Sequence, residues 1–141
     1  MMISFTIPGQ PQGKARPKVV RLKNGHTHAF TPEKTESYEN LIRWAFKECT
    51  RKDFVPHDGA IYVEIAATHQ IPQSWSRKKR QAALAGTLPC LSKPDLDNLE
   101  KVICDALNGI AYVDDKQIVE VHKCKAYGER PGVAVLLRFD N

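Results

Sequence analysis

Seven carboxylates, Asp95, Asp97, Glu100, Asp105, Asp114, Asp115 and Glu120, crowd into residues 94–120 against two cations, Lys101 and Lys116. Acids at this density suit the holding of a divalent cation through hard oxygen ligands, with positions left over for water and a phosphate oxygen. The stretch Lys93-Pro94-Asp95-Leu96-Asp97-Asn98-Leu99-Glu100-Lys101 reads as a helix entrance opened by Pro94, and Asn108-Gly109 stops the helix after Leu107. On a wheel of about 100° per residue, Leu96, Leu99, Val102, Ile103, Ala106 and Leu107 share an arc of about 140° that must face a core. Asp97, Lys101 and Asp105 recur at i, i+4 and i+8 on the opposite side, with Asn98 beside them. Asp95 stands where the chain is only half helical, so its carboxylate can turn toward Asp97. Asp114-Asp115 follow in a loop near enough in sequence to fold back onto the helix.

Ordinary helix physics accounts for part of this. An Asp near a helix N-terminus stabilises the dipole, and Asp97 to Lys101 is a favourable i,i+4 ion pair. Neither explains Asp95, Asp97, Asp114 and Asp115 together, nor an Asn in the first turn. A calcium loop of the EF-hand type needs Gly at its sixth position and Glu at its twelfth; counted from Asp95 those are Glu100 and Ala106.

The acidic island lies in a basic chain. The net charge of the 141 residues is +5, and residues 94–120 alone carry −5, so the remainder carries +10. Residues 10–30 hold Lys14, Arg16, Lys18, Arg21 and Lys23 without an acid, and residues 71–93 hold Arg77, Lys78, Lys79, Arg80 and Lys93 without one. Basic walls around a carboxylate centre are what a metal-dependent nuclease requires: cations hold phosphates while the acids hold the ion. Lys14 and Arg16 sit on a Gly/Pro loop where amides and cations can clamp a phosphate. With no long apolar run and no basic-then-apolar leader, a cytoplasmic chain without a membrane span is the expectation.

The elements that must position these residues follow from periodicity and punctuation. Strands are expected at 2–7, 18–22, 27–31, 60–69, 117–126 and 133–139, with turns at Asn24-Gly25 and across Gly128 and Pro131. Helices are expected at 33–51, with Thr31 or Thr35 as cap and Pro32 in its first turn, at 77–85 behind Ser74 or Ser76, and from Pro94 to Leu107. The result is a single α+β domain over 1–141, a mixed or antiparallel sheet with two main helices. Cys49, Cys90, Cys104 and Cys124 form no CxxC pair, which argues against a zinc site and for reduced, buried or neutral thiols. Helical spacing assigns Trp44 to the core, and Trp75 to packing beside the basic block.

The Asp95-Leu96-Asp97-Asn98-Leu99-Glu100-Lys101 element, Asp105-Ala106-Leu107 and the Asp114-Asp115 pair together resemble the signature of RusA-type Holliday-junction resolvases. Gly13-Lys14-Ala15-Arg16-Pro17 and Ser76-Arg77-Lys78-Lys79-Arg80 are similar to the subgroup of Gram-positive bacteria and their prophages. The resemblance implies that Asp95, Asp97 and Asp115 are the metal-binding catalytic acids, that Lys101 is the functionally important lysine, and that Asn98 and Asp114 support them. It further implies Mg²⁺ or Mn²⁺ dependence, a homodimer, and paired nicks across a four-way DNA junction in recombination and repair. DNA contacts are then expected from Lys14, Arg16, Lys18, Arg77, Lys78, Lys79 and Arg80. The competing reading is a non-catalytic DNA-binding phage accessory protein, which a complete set of Asp95, Asp97, Asp115 and Lys101 disfavours.

Overall fold

The computed structural model describes residues 1–140. Its centre is a four-stranded sheet built from β1 (Met2–Pro8), β4 (Ile61–Gln70), β5 (Ile118–Gly128) and β6 (Gly132–Phe139) in the order β1-β6-β4-β5. β6 runs antiparallel to both β1 and β4, whereas β4 and β5 are parallel. A parallel neighbour needs a long crossover. Here residues 71–117 supply it, carrying α2 (Arg77–Leu84), α3 (Leu96–Leu107) and a short 3₁₀ turn, Asp115–Gln117. The crossover is therefore also the segment that holds the acids. β2 (Lys18–Arg21) and β3 (Thr27–Phe30) form a separate two-stranded ribbon ahead of α1 (Glu33–Glu48).

Period-two alternation gives the sheet its inner face. Phe5 and Ile7 of β1, Ile61, Val63, Ile65 and Ala67 of β4, and Val133, Val135, Leu137 and Phe139 of β6 are buried in one cluster. Tyr38, Ile42, Ala45 and Phe46 of α1 and Leu99, Val102, Ile103, Ala106 and Leu107 of α3 complete that cluster. The expected apolar arc of α3 is thus the buried one, with Leu96 at its half-buried margin. Gly109, in the left-handed region at φ 78°, ends α3 where the sequence placed its stop.

Several expectations change. The helix expected over 33–51 ends at Glu48, and Pro32 is its N-cap residue without a side-chain cap. Thr35 instead is buried and accepts a hydrogen bond from the Ala15 amide at 3.1 Å. Of the two serines ahead of α2, Ser76 is the cap, accepting from Lys79 N at 3.2 Å. Trp44 is not core: it is 55% exposed, because it lies opposite the Tyr38, Ile42, Ala45 and Phe46 stripe. Cys49 is exposed, while the Cys104 thiol is pushed up to about 12, chiefly by burial, and stays neutral. Trp75 packs as expected, edge-on to Tyr127 at 5.1 Å with the Lys79 ammonium 4.0 Å over its ring. No described helix is long and apolar enough to cross a membrane.

Candidate active site

The first turn of α3 leaves its backbone amides without intrahelical partners, and Asp95 meets that need. It is the N-cap residue, and its Oδ1 accepts from Asn98 N at 2.8 Å. Two residues on, Asp97 is exposed, and its Oδ1 accepts from the Lys123 ammonium of β5 at 2.7 Å. The same ammonium reaches Glu100 at 3.2 Å. That hydrogen bond holds the Asp97 carboxyl below its ordinary range and raises Lys123 above its own. The expected Asp97–Lys101 pair is therefore not formed; Lys101 turns one step along the helix to Asp105, at 3.6 Å.

Asp105 has a second cation. Lys14 Nζ lies 3.3 Å from Asp105 Oδ2 and 3.3 Å from Glu39 of α1, so one ammonium ties α1 to α3. The loop carrying Lys14 lies directly on the helix entrance: Lys14 N donates to Asn98 O at 3.3 Å. Gly13 permits that approach, since a Cβ there would meet Asn98 Cβ at 2.9 Å and Pro94 Cβ at 3.0 Å.

Beyond α3, Asp114 is the N-cap of the 3₁₀ turn, accepting from Lys116 N at 2.9 Å, which lowers its carboxyl pKa. Gln117 closes the reciprocal bond to Asp114 N at 2.7 Å. Asp115 is the exposed first residue of that turn. The Cys104 thiol pKa is raised first by burial and further by the charges of Glu100, Asp105 and Asp115. Among the described residues, no three His, Cys, Asp or Glu side chains stand as a ready-made metal centre. Asp95 is turned to its helix cap and Asp97 to Lys123, so the convergence of Asp95, Asp97 and Asp115 expected from the sequence is not formed.

The family model for endodeoxyribonuclease RusA matches residues 8–138. The chain belongs to this family. It is also 31% identical over 138 residues to the uncharacterized protein YqaN of Bacillus subtilis (strain 168), covering 96% of this chain and 95% of that protein. The matched range takes in the α3 entrance, the 3₁₀ turn and the loop of Gly13 and Lys14.

Beside the acids of this RusA-family chain lies a cavity of about 800 Å³. Gly13, Lys14, Lys34, Lys93, Asp95, Asn98 and Lys125 are among the residues lining it. Lys125 Nζ donates to Ser92 O at 2.9 Å, fixing a cation in the wall. Arg16 and Lys18 lie further along the exposed loop and ribbon, and the cations of α2 occupy a different element, with Arg77, Lys78 and Lys79 exposed and Arg80 half-buried. Sequence reasoning missed Lys123, Lys125 and Lys34 as parts of the site, and counted Lys93 only within the acid-free basic stretch 71–93. Lys123 and Lys125 had a signal: on a strand, positions two apart share a face, and theirs is the half-buried one.

Proposed function

We propose that this chain is a divalent-metal-dependent endodeoxyribonuclease selective for branched DNA, making paired nicks across four-way junctions in recombination and repair. The observation that carries the reading is the shared cation at the α3 entrance. Asp97 and Glu100 hold one positive group, the Lys123 ammonium, between them on a chain that is otherwise basic. A donor set of carboxylate oxygens fits a hard ion, Mg²⁺ with Mn²⁺ as substitute. Asp95, Asp97 and Asp115 are the residues that would hold it once Asp95 and Asp97 turn from the Asn98 amide and the Lys123 ammonium, and a bound ion would supply an activated water and neutralise charge on the scissile phosphate.

The remaining work belongs to side chains of this protein. Lys101 is 63% exposed with Asp105 as its partner, free to swing its ammonium onto a phosphate oxygen and steady the developing charge there. Asn98, exposed beside Asp95, offers an amide to the same phosphate. Asp114 caps the turn that presents Asp115, so it positions that acid. Lys14 is committed to Glu39 and Asp105, which assigns it to holding the loop in place, while Lys34, Lys93 and Lys125 line the cavity for DNA backbone. Arg16, Lys18, Arg77, Lys78, Lys79 and Arg80 extend the positive surface for more distant phosphates. A junction has two equivalent strands to cut, so the working unit is a homodimer with two such sites.

The test is incubation of the purified chain with end-labelled four-way and linear DNA, with Mg²⁺ and with a chelator. Symmetric nicks in the junction, dependent on Mg²⁺, are expected, with the linear duplex left intact. Binding of junctions without any cleavage would make the chain a non-catalytic DNA-binding accessory protein instead.

A further inference from the structure

The β2–β3 ribbon has no evident role in the fold. Every residue of both strands is exposed, and none belongs to the core cluster. An isolated two-stranded hairpin is marginal in water, and this one presents apolar side chains to solvent: Val19 is 66% exposed, and Val20, Leu22 and Phe30 are also exposed. Its register sorts the side chains. Lys18 pairs with Phe30 and Val20 with His28, so these four share one face, where the rings of His28 and Phe30 are stacked at 6.3 Å. Val19, Arg21, Thr27 and Ala29 form the other face.

The charge is one-sided. No acid precedes Glu33 in the chain, and among the described residues none of Lys18, Arg21 and Lys23 is paired with a carboxylate. Unpaired cations beside exposed apolar side chains suit a polyanion that also offers apolar surface. We propose that the ribbon is an arm that enters branched DNA at the branch point, its cations on the flanking phosphates and its Phe30–His28 face against base surfaces exposed where stacking is interrupted. A two-stranded ribbon is narrow enough to enter a groove of duplex DNA, and aromatic side chains stack on any base without reading sequence. This rests on the nuclease reading and adds the element that tells a branch from a linear duplex.

Two variants test it. One replaces residues 18–30 by Gly-Gly, a link short enough because Lys18 and Phe30 are directly paired. The other, Val20→Ser with Leu22→Ser and Phe30→Ser, keeps the length and every cation. Anisotropy with labelled four-way and linear DNA, in chelator so that nothing is cut, gives the two affinities. 2-Aminopurine at the branch point reports base contact. The serine variant should lose about tenfold in junction affinity, the value of roughly one stacked base, and keep its duplex affinity. It should also lose the 2-aminopurine response. An unchanged junction-to-duplex ratio in both variants, in a chain that still nicks junctions, overturns the ribbon proposal and leaves the nuclease reading standing. A full chain that neither prefers nor cuts branched DNA overturns both. A full chain that sediments as a dimer while both variants sediment as monomers makes the occupant a second copy of the chain, and overturns it too.

Discussion

The Lys123 ammonium stands 2.7 Å from Asp97, joining strand β5 to the mouth of α3 across 26 positions of sequence. It lies where positive charge is wanted, and it holds Asp97 ionised. Lys123→Met should return the Asp97 carboxyl toward its ordinary value of 3.8 and remove a competitor for a metal ion. Because the pair is largely solvated on the Asp97 side, the gain is modest, and Mn²⁺ binding followed by electron paramagnetic resonance should tighten up to about fivefold. Weaker Mn²⁺ binding would mean that Lys123 orients the acids rather than competing for them.

Asp95 does two jobs that substitutions can separate. Asn is as good an N-cap as Asp, so Asp95→Asn should melt with the parent chain yet lose nicking, whereas Asp95→Ala should lose nicking and about 1 kcal/mol of stability. Asp97→Asn, which caps nothing, should abolish nicking while DNA binding stays equal or tightens. Full nicking by Asp95→Asn in the presence of Mg²⁺ would reduce Asp95 to a cap.

Lys14 neutralises two carboxylates that are mostly screened from water. Lys14→Met leaves Glu39 without its cation and Asp105 with the exposed Lys101 alone, at a cost of about 1–2 kcal/mol, discounted for their residual solvent contact. Urea denaturation should show that loss. The slope of DNA affinity against salt should hardly move if the ammonium stays with Glu39 and Asp105 when DNA binds. A slope shallower by about 0.9 would instead place Lys14 on DNA.

His69 is fully buried, and neither ring nitrogen has a hydrogen-bond partner among the described residues. Burial, reinforced by the charge of Lys125, lowers its pKa from 6.5. The unfolded chain then takes up the proton more readily than the folded one. The proton-linked cost of His69 is therefore absent above about pH 6.5, and stability falls as pH drops below that value toward the lowered folded pKa. Urea midpoints at pH 7.5 and 5.5 should differ in the parent chain, and His69→Leu should narrow the gap. An equal gap in both would assign the acid sensitivity to other groups.

What the sequence determined by itself is the part that depends on near neighbours. The arc of Leu99, Val102, Ile103, Ala106 and Leu107 told which side of α3 is buried, because helix period converts spacing directly into direction. Asn24-Gly25 marked the ribbon and Asn108-Gly109 the end of α3, since turns are written in two or three residues. Trp44 misled because an apolar side chain on an amphipathic helix need not lie on its buried stripe. The electrostatics of the site were decided only in three dimensions. Asp97 had a cation four residues away in Lys101, yet it took Lys123, because parallel pairing of β4 and β5 brings that strand beside α3 and a half-buried ammonium needs a counter-charge more than an exposed one does. Lys14 likewise passed from loop to core margin when Gly13 let its backbone settle on Asn98. Sequence periodicity assigns a face to each residue; which charge lies opposite that face depends on register and crossover, and these are set by how the whole core packs.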